Sequence, residues 1–393
     1  MGRRNGPQAP IRLVPPPRAA HPPTWRGLDV RLPTYEELAR EEEQLNVLEH
    51  PLDQSLFVVG PPGSGKTVLA IQRAQMVKEA MGSASVVTYN RMLRRLLALL
   101  GEGTEASTFH RFVSKDFYDR TRESIPKEPR DSYKYLWTDI FIALDKIGAS
   151  PNRKHLVVDE GQDLPEGFYQ YVSQYVSETM TVFADEDQAL SGERTTLEQI
   201  KKVAGLDDPI ILKKNHRNSP EVARLAEHFH SGRLPAAQCE RSSTGEVPRL
   251  VGFSTTKSTA KFLSNRYKTQ GGNIGIIADK NDSAKAIYRQ LRELLPGKRI
   301  DIYMNERKNE DKINSLKDGV TALNKKSVKG QEFDTVFILE IERFIPCRND
   351  VERRAMYMMC ARARNTLFLV HGPNALSREA EQSLPGPDIL ERS

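Results

Sequence analysis

The chain has 393 residues, a net charge of +6, 38% hydrophobic residues and a mean hydropathy of −0.55. At about 150 residues per domain, that leaves room for two or three domains with their own cores. No apolar run approaches the ~18 residues of a membrane helix, and the arginines near the N-terminus precede no apolar signal segment, so neither a membrane span nor secretion is expected. Three scattered cysteines, Cys239, Cys347 and Cys360, offer no redox or metal-ligand spacing and suit a reducing cytoplasm.

Residues 1–28 hold Arg3, Arg4, Arg12, Arg18 and Arg26, seven prolines and no acid, so nearly all of the net charge lies there. Such a stretch cannot bury enough apolar surface to offset its ordering entropy, and residues 1–32 read as a disordered basic arm. The rest of the chain is nearly neutral, so any surface for nucleic acid has to be a local patch.

Beyond the arm, strand-like and helix-like patterns alternate. Strands are predicted at Ser55–Gly60, Ala84–Thr88, His155–Asp159 and Met180–Ala184, with helices at Thr67–Ala80 and Met92–Leu100. A second series opens near Ile210. It has strands at Ile210–Leu212, Asn273–Ile277, Thr335–Leu339 and Thr366–Val370, and helices at Pro220–Phe229, Ser283–Leu295 and Val351–Ala363. Alternation of this kind predicts an α/β fold with parallel sheets covered on both faces. The expected division is a first domain over 33–209, a second over 210–371, and a loose tail over 372–393.

The segment Gly60-Pro61-Pro62-Gly63-Ser64-Gly65-Lys66-Thr67 fits GxxxxGK[ST], with a strand before it and a helix after it. Its glycines let backbone N–H groups turn toward phosphate oxygens, and the following helix adds the positive end of its dipole. Lys66 is expected to reach the β- and γ-phosphates, and Thr67 to bind Mg²⁺ through its hydroxyl. An apolar strand later delivers Asp159-Glu160-Gly161-Gln162-Asp163 to its carboxyl end. Asp159 is expected to hold Mg²⁺, and Glu160 to orient and deprotonate the attacking water. Together these predict hydrolysis of a nucleoside triphosphate, taken to be ATP.

The run Asp159–Asp163 resembles the DEAQD motif of superfamily 1 helicases of the UvrD/Rep type, and further segments follow in that family's order. Gln44 stands where the family carries an adenine-reading glutamine. Thr88-Tyr89-Asn90 is similar to motif Ia, and Thr108-Phe109-His110 to the TFH segment. Ala184–Gln188 resembles motif III, whose glutamine, here Gln188, senses the γ-phosphate. Lys214–Ser219 is similar to NYRS, Ser327–Phe333 to SKGLEF, and Tyr357–Arg364 to the last motif. The resemblance covers about residues 33–371. It implies two tandem RecA-like domains with ATP·Mg²⁺ in the cleft between them and 3′–5′ movement along single-stranded DNA. It further implies that Arg217 and Arg362 act on the γ-phosphate from the second domain, and that Glu332 meets the ribose or γ-phosphate. Lys329-Gly330 would form the turn that presents Glu332, and a solvated charge run is the alternative for Lys325, Lys326 and Lys329.

Single-strand binding needs aromatic faces for bases and donors for phosphates. Tyr89 and Phe109 are the candidate platforms, with Thr88, Asn90, Thr108, His110 and Arg194 as polar contacts. Several positions depart from the family pattern. Ser191 and Glu193 stand where that family has a tyrosine and a base-stacking aromatic, His216 replaces the tyrosine that stacks on adenine, and Lys326 replaces a histidine. The large insertion expected between Ser219 and Thr321 is missing, and the one between His110 and His155 is reduced or absent. Two readings follow: a compact ATP-driven translocase on single strands of DNA (or RNA, since nothing here reads a 2′-hydroxyl), or an ATP-gated subunit controlling a partner such as a nuclease, as trimmed relatives of this family do in phage defence.

Overall fold

The computed structural model describes residues 33–88, 104–185, 195–304 and 318–392. In the first half, β1 (Leu56–Val59), β2 (Ala84–Thr88) and β3 (Thr104–Thr108) precede a small antiparallel hairpin, β4 (Lys127–Glu128) and β5 (Asp131–Tyr135). Then come β6 (Arg153–Asp159), β7 (Ser177–Ala184) and β8 (Ile210–Ile211). Apart from the hairpin these form one parallel sheet in the order β3-β2-β6-β7-β1-β8. The four residues of β1 are all buried, as a central strand covered on both faces must be, which is why it reads as an unbroken apolar run. One face is covered by the helix Lys66–Met81, through Leu69, Ala70 and Val77. The other carries the helices Phe109–Thr121 and Trp137–Lys146, through Phe112, Val113, Ile140 and Leu144.

In the second half a short pair, β9 (Lys214–Asn215) and β10 (Gln238–Cys239), leads into β11 (Arg249–Gly252), β12 (Asn273–Ala278), β13 (Ile300–Tyr303), β14 (Gly319–Asn324), β15 (Phe333–Leu339), β16 (Ala363–His371) and β17 (Glu391–Arg392). From β11 on, they form a second parallel sheet in the order β13-β14-β12-β15-β16-β11-β17. β12 and β14 are buried throughout. On one face, Phe337 and Phe368 of neighbouring strands stack with centroids 4.5 Å apart. The α/β fold with parallel sheets is thus the observed one. Among the described residues no helix is long and apolar enough to cross a membrane.

Two expectations are corrected. Ile210–Ile211 does not open the second sheet; it pairs with Val58 and Val59 of β1 at the edge of the first. The residues after Gly372 are not a loose tail either. Leu376, Ala380, Leu384 and Leu390 are buried in the second core, and Glu391–Arg392 adds a strand beside β11. Their prolines punctuate a packed segment, since every fourth residue or so is an apolar anchor.

Candidate active site

β7 lies between β1 and β6, and its register sets Val59 level with Ala184 and Val158 level with Val182. The glycine loop after β1, Asp185 after β7 and Asp159-Glu160 at the end of β6 therefore meet at one carboxyl edge, where open α/β sheets bind ligands. Gly63 and Gly65 have φ of +82° and +87°, a region that favours glycine. A Cβ on Gly63 would also stand 2.7 Å from that of Arg217 and collide with Asn215. Gly65 is the N-cap of the helix Lys66–Met81, so the loop hands directly to a helix N-terminus.

Lys66 is buried. Its Nζ donates to the carbonyls of Gly60 (2.6 Å) and Pro61 (2.8 Å) and lies 3.1 Å from the Asp185 carboxylate. Thr67 Oγ1 donates to Asp159 Oδ2 at 3.2 Å, while the other Asp159 oxygen is buried with no hydrogen-bond partner. Gln162 ties the edge together: its Nε2 donates to Glu160 Oε2 at 2.7 Å, and its Oε1 accepts the Asp185 N–H at 2.9 Å. Glu160 adopts φ +57°, which turns its carboxylate off the line of β6.

The second half supplies cations to these acids. Lys329, on the turn before β15, pairs with Asp163 and stands 3.5 Å from Glu160 Oε2; its side chain is only 12% exposed. The solvated-run alternative for Lys329 does not hold, since its amine is spent on buried acids. Lys325 is 42% exposed and pairs with Asp279. Arg217 pairs with Glu332, and its Nη1 is buried without a partner. Arg362 is buried and its Nε donates to the Met358 carbonyl at 3.2 Å. Asn218 Nδ2 donates to the carbonyls of Ala361 (3.1 Å) and Ala363, and the Ser219 N–H donates to the Arg364 carbonyl at 2.7 Å. These bonds bolt the Arg217 segment to the Arg362 segment, so two arginines 145 positions apart in sequence stand at one place. The His216 N–H donates to the Gly63 carbonyl at 2.9 Å, which docks this unit on the glycine loop.

The charges act on one another. Burial and the adjacent Glu160 raise the Asp159 carboxyl. Burial also raises Glu160, but Lys329, Lys66 and Arg362 overcome it and hold that carboxyl well below its usual range. Glu332 is lowered despite burial by Arg217, Arg364 and Arg362. Burial, then Arg217, lowers Arg362 to about 10, with Glu160, Glu332 and Asp185 opposing. Arg362 thus remains charged at neutral pH, and Glu160 is ionised there.

Gln44 is buried on the helix Glu42–Glu49, and its Nε2 would be 3.6 Å from a Cβ on Gly65 and lies 3.4 Å from His216 Nε2. The same His216 nitrogen is 3.2 Å from Glu41. Gln44 and His216, read separately from sequence, therefore stand together beside the loop.

The residues read as nucleic-acid contacts fare differently. Tyr89, Asn90 and Arg194 lie outside the described residues, as do Gln188, read as the γ-phosphate sensor, and Ser191 and Glu193. Thr88 is fully buried at the end of β2, and Phe109 is only 5% exposed among Tyr135, Trp137 and Phe168. Thr88 is thus not exposed as the polar contact expected, nor is Phe109 offered to a base; Phe109 turned inward because it opens an amphipathic helix whose apolar side faces the sheet. Thr108 is the half-buried N-cap of that helix, and half-buried His110 stands 3.0 Å from the Tyr135 hydroxyl. Asp185 and Gln162 carried no individual site role in the sequence reading, although each lies in a motif segment, and Lys329 was read only as part of the turn that presents Glu332.

Oxygen donors and unpaired buried atoms fit a magnesium nucleotide. Asp159 brings a carboxylate oxygen without a partner and Thr67 a hydroxyl, a sparse hard-donor set of the kind Mg²⁺ takes when phosphates and water complete its shell. The unpaired Ser64 hydroxyl and Arg217 Nη1 suit phosphate oxygens.

Residues 44–194 match the profile of the AAA domain. No curated protein matches the sequence. Two solved structures are similar in part. One is the C-terminal domain of a possible DNA helicase from Lactobacillus plantarum, at 15% identity and TM-score 0.33, covering 45% of this chain and 98% of that one. The other is the DUF1998 helicase MrfA bound to DNA, at 10% identity and TM-score 0.49, covering 85% of this chain but 49% of that one. The chain thus spans about half the length of MrfA.

Proposed function

We propose that this protein is an ATP-dependent translocase on single-stranded nucleic acid, of the UvrD-like type, with a first unit that ends after the edge strand Ile210–Ile211 and a second that continues through Glu391–Arg392. The observation that carries the proposal is the convergence on one sheet edge of Lys66, Thr67, Asp159 and Glu160 with Arg217, Arg362, Glu332 and Lys329 from the second half. Lys66 and the loop amides bind the phosphates, and Gln44 with His216 holds the base. Thr67 and Asp159 would hold Mg²⁺, which would supply charge neutralisation at the phosphates. Glu160, kept ionised by its cations, orients the attacking water and takes its proton. Arg217 and Arg362 stabilise the charge that spreads over the γ-phosphoryl oxygens. These arginines reach the site only when the second unit is docked, so hydrolysis and release of phosphate loosen the two units, and repeated docking moves them along a strand in the 3′–5′ direction that the resemblance implies.

Arg217→Ala and Arg362→Ala are each expected to cut single-turnover hydrolysis by about 10³-fold or more, while a fluorescent ATP analogue still binds. Normal turnover in either variant would remove the second unit from the chemistry.

A further inference from the structure

Phe109 is buried, but the hairpin next to its helix carries an aromatic that meets solvent. Tyr133 is 53% exposed. It shares one face of β5 with Tyr135, since alternate residues of a strand point the same way. The His110 ring lies between them, its centroid 5.4 Å from Tyr133 and 5.5 Å from Tyr135. Tyr135 in turn meets Phe109 edge-on at 5.5 Å. A ladder of rings thus runs from the core out to Tyr133 and backs it rigidly. Lys127, opposite Tyr135, places its Nζ 5.4 Å from that ring; Arg130 and Lys134 of the hairpin and Arg111, next to His110 in sequence, are exposed too. Its acids are Glu128, which is exposed, and Asp131, whose Oδ1 accepts the Tyr133 N–H at 2.9 Å.

We infer that the β4–β5 hairpin is a stacking platform for single-stranded nucleic acid, with Tyr133 receiving a base and the surrounding cations the flanking phosphates. A preorganised aromatic face ringed by flexible cations is what sequence-tolerant single-strand binding uses. The site belongs to the same edge as the nucleotide: Thr108 is level with Thr88, and Thr88 with Asp159, so β3 ends two strands, roughly 10 Å, from the Asp159 end of β6. A strand held there would sit within reach of the parts that the second unit docks on. This platform rests on the translocase reading and adds to it a base contact outside the quoted motif segments.

The test is fluorescence anisotropy of the full chain with a labelled oligothymidylate, alongside ATP hydrolysis without nucleic acid. Tyr133→Ala is expected to weaken binding by about 10- to 100-fold, with hydrolysis in the absence of nucleic acid unchanged. Tyr133→Trp should retain affinity and show indole quenching on binding. If the unsubstituted chain binds and Tyr133→Ala binds equally well, the platform is overturned while the translocase reading stands. If the unsubstituted chain binds neither DNA nor RNA single strands, both are overturned, and a protein partner becomes the occupant to seek.

Discussion

Lys66 and Lys329 reach the same group of acids from opposite halves of the chain, and the consequence falls on Glu160. A carboxylate buried at the end of an apolar strand would ordinarily take up a proton; here the cations hold it ionised. Removing its charge while keeping its shape therefore isolates its part in the chemistry. Glu160→Gln is expected to lower the rate of hydrolysis by ~10²–10⁴-fold, the range of general-base catalysis, while ATP stays bound, as filter binding would register. Lys66→Ala should abolish hydrolysis by removing phosphate binding itself. Normal turnover in either variant would contradict the assignment. Asp185 shows where residue-level reading stops short. It follows an apolar strand as many solvated aspartates do, and only the insertion of β7 between β1 and β6 brings it to Lys66.

Elements buried on both faces were legible in the sequence because each is a short unbroken apolar run. β1, β6, β7, β12, β15 and β16 all overlap predicted strands. Of the missed strands, Thr104–Thr108 contains no large apolar residue, Ile300–Tyr303 is four half-buried residues at a sheet edge, and Gly319–Asn324, though buried throughout, has its apolar run broken by Thr321. The docking of Phe109 and of the segment after Gly372 depends on what lies opposite, which no local pattern states. β6 carries a further consequence. His155 is buried between the hydroxyls of Thr179 and Thr181, at 2.7 and 2.8 Å, and burial, then Arg73, lowers its imidazole to about 3. Between about pH 6.5, where an unfolded histidine titrates, and pH 3, the unfolded chain binds a proton that the folded one does not. The stabilising contribution is therefore complete above 6.5 and falls by roughly 1.4 kcal/mol per pH unit as the medium is acidified. Urea denaturation at pH 7.5 and 5.5 should show a loss of stability that is smaller in His155→Gln. Equal losses would mean that His155 is not the group responsible.

At the scale of the whole molecule, several of the described contacts between the two halves lie at the nucleotide site. Lys329 with Asp163 and Glu160, and His216 with Gly63, Gln44 and Glu41, are side-chain and backbone bonds that a nucleotide phosphate or base could replace. Interfaces of this kind are loose by default. A motor needs that looseness, and a nucleotide-gated subunit could use it as well. What separates the two is whether a single strand drives the cycle. The decisive measurement is steady-state ATP hydrolysis by the purified chain with and without single-stranded DNA, at low and moderate salt, with Glu160→Gln as the blank. The account predicts strong stimulation by single strands that weakens as salt displaces phosphate contacts. Robust hydrolysis indifferent to any nucleic acid would contradict it.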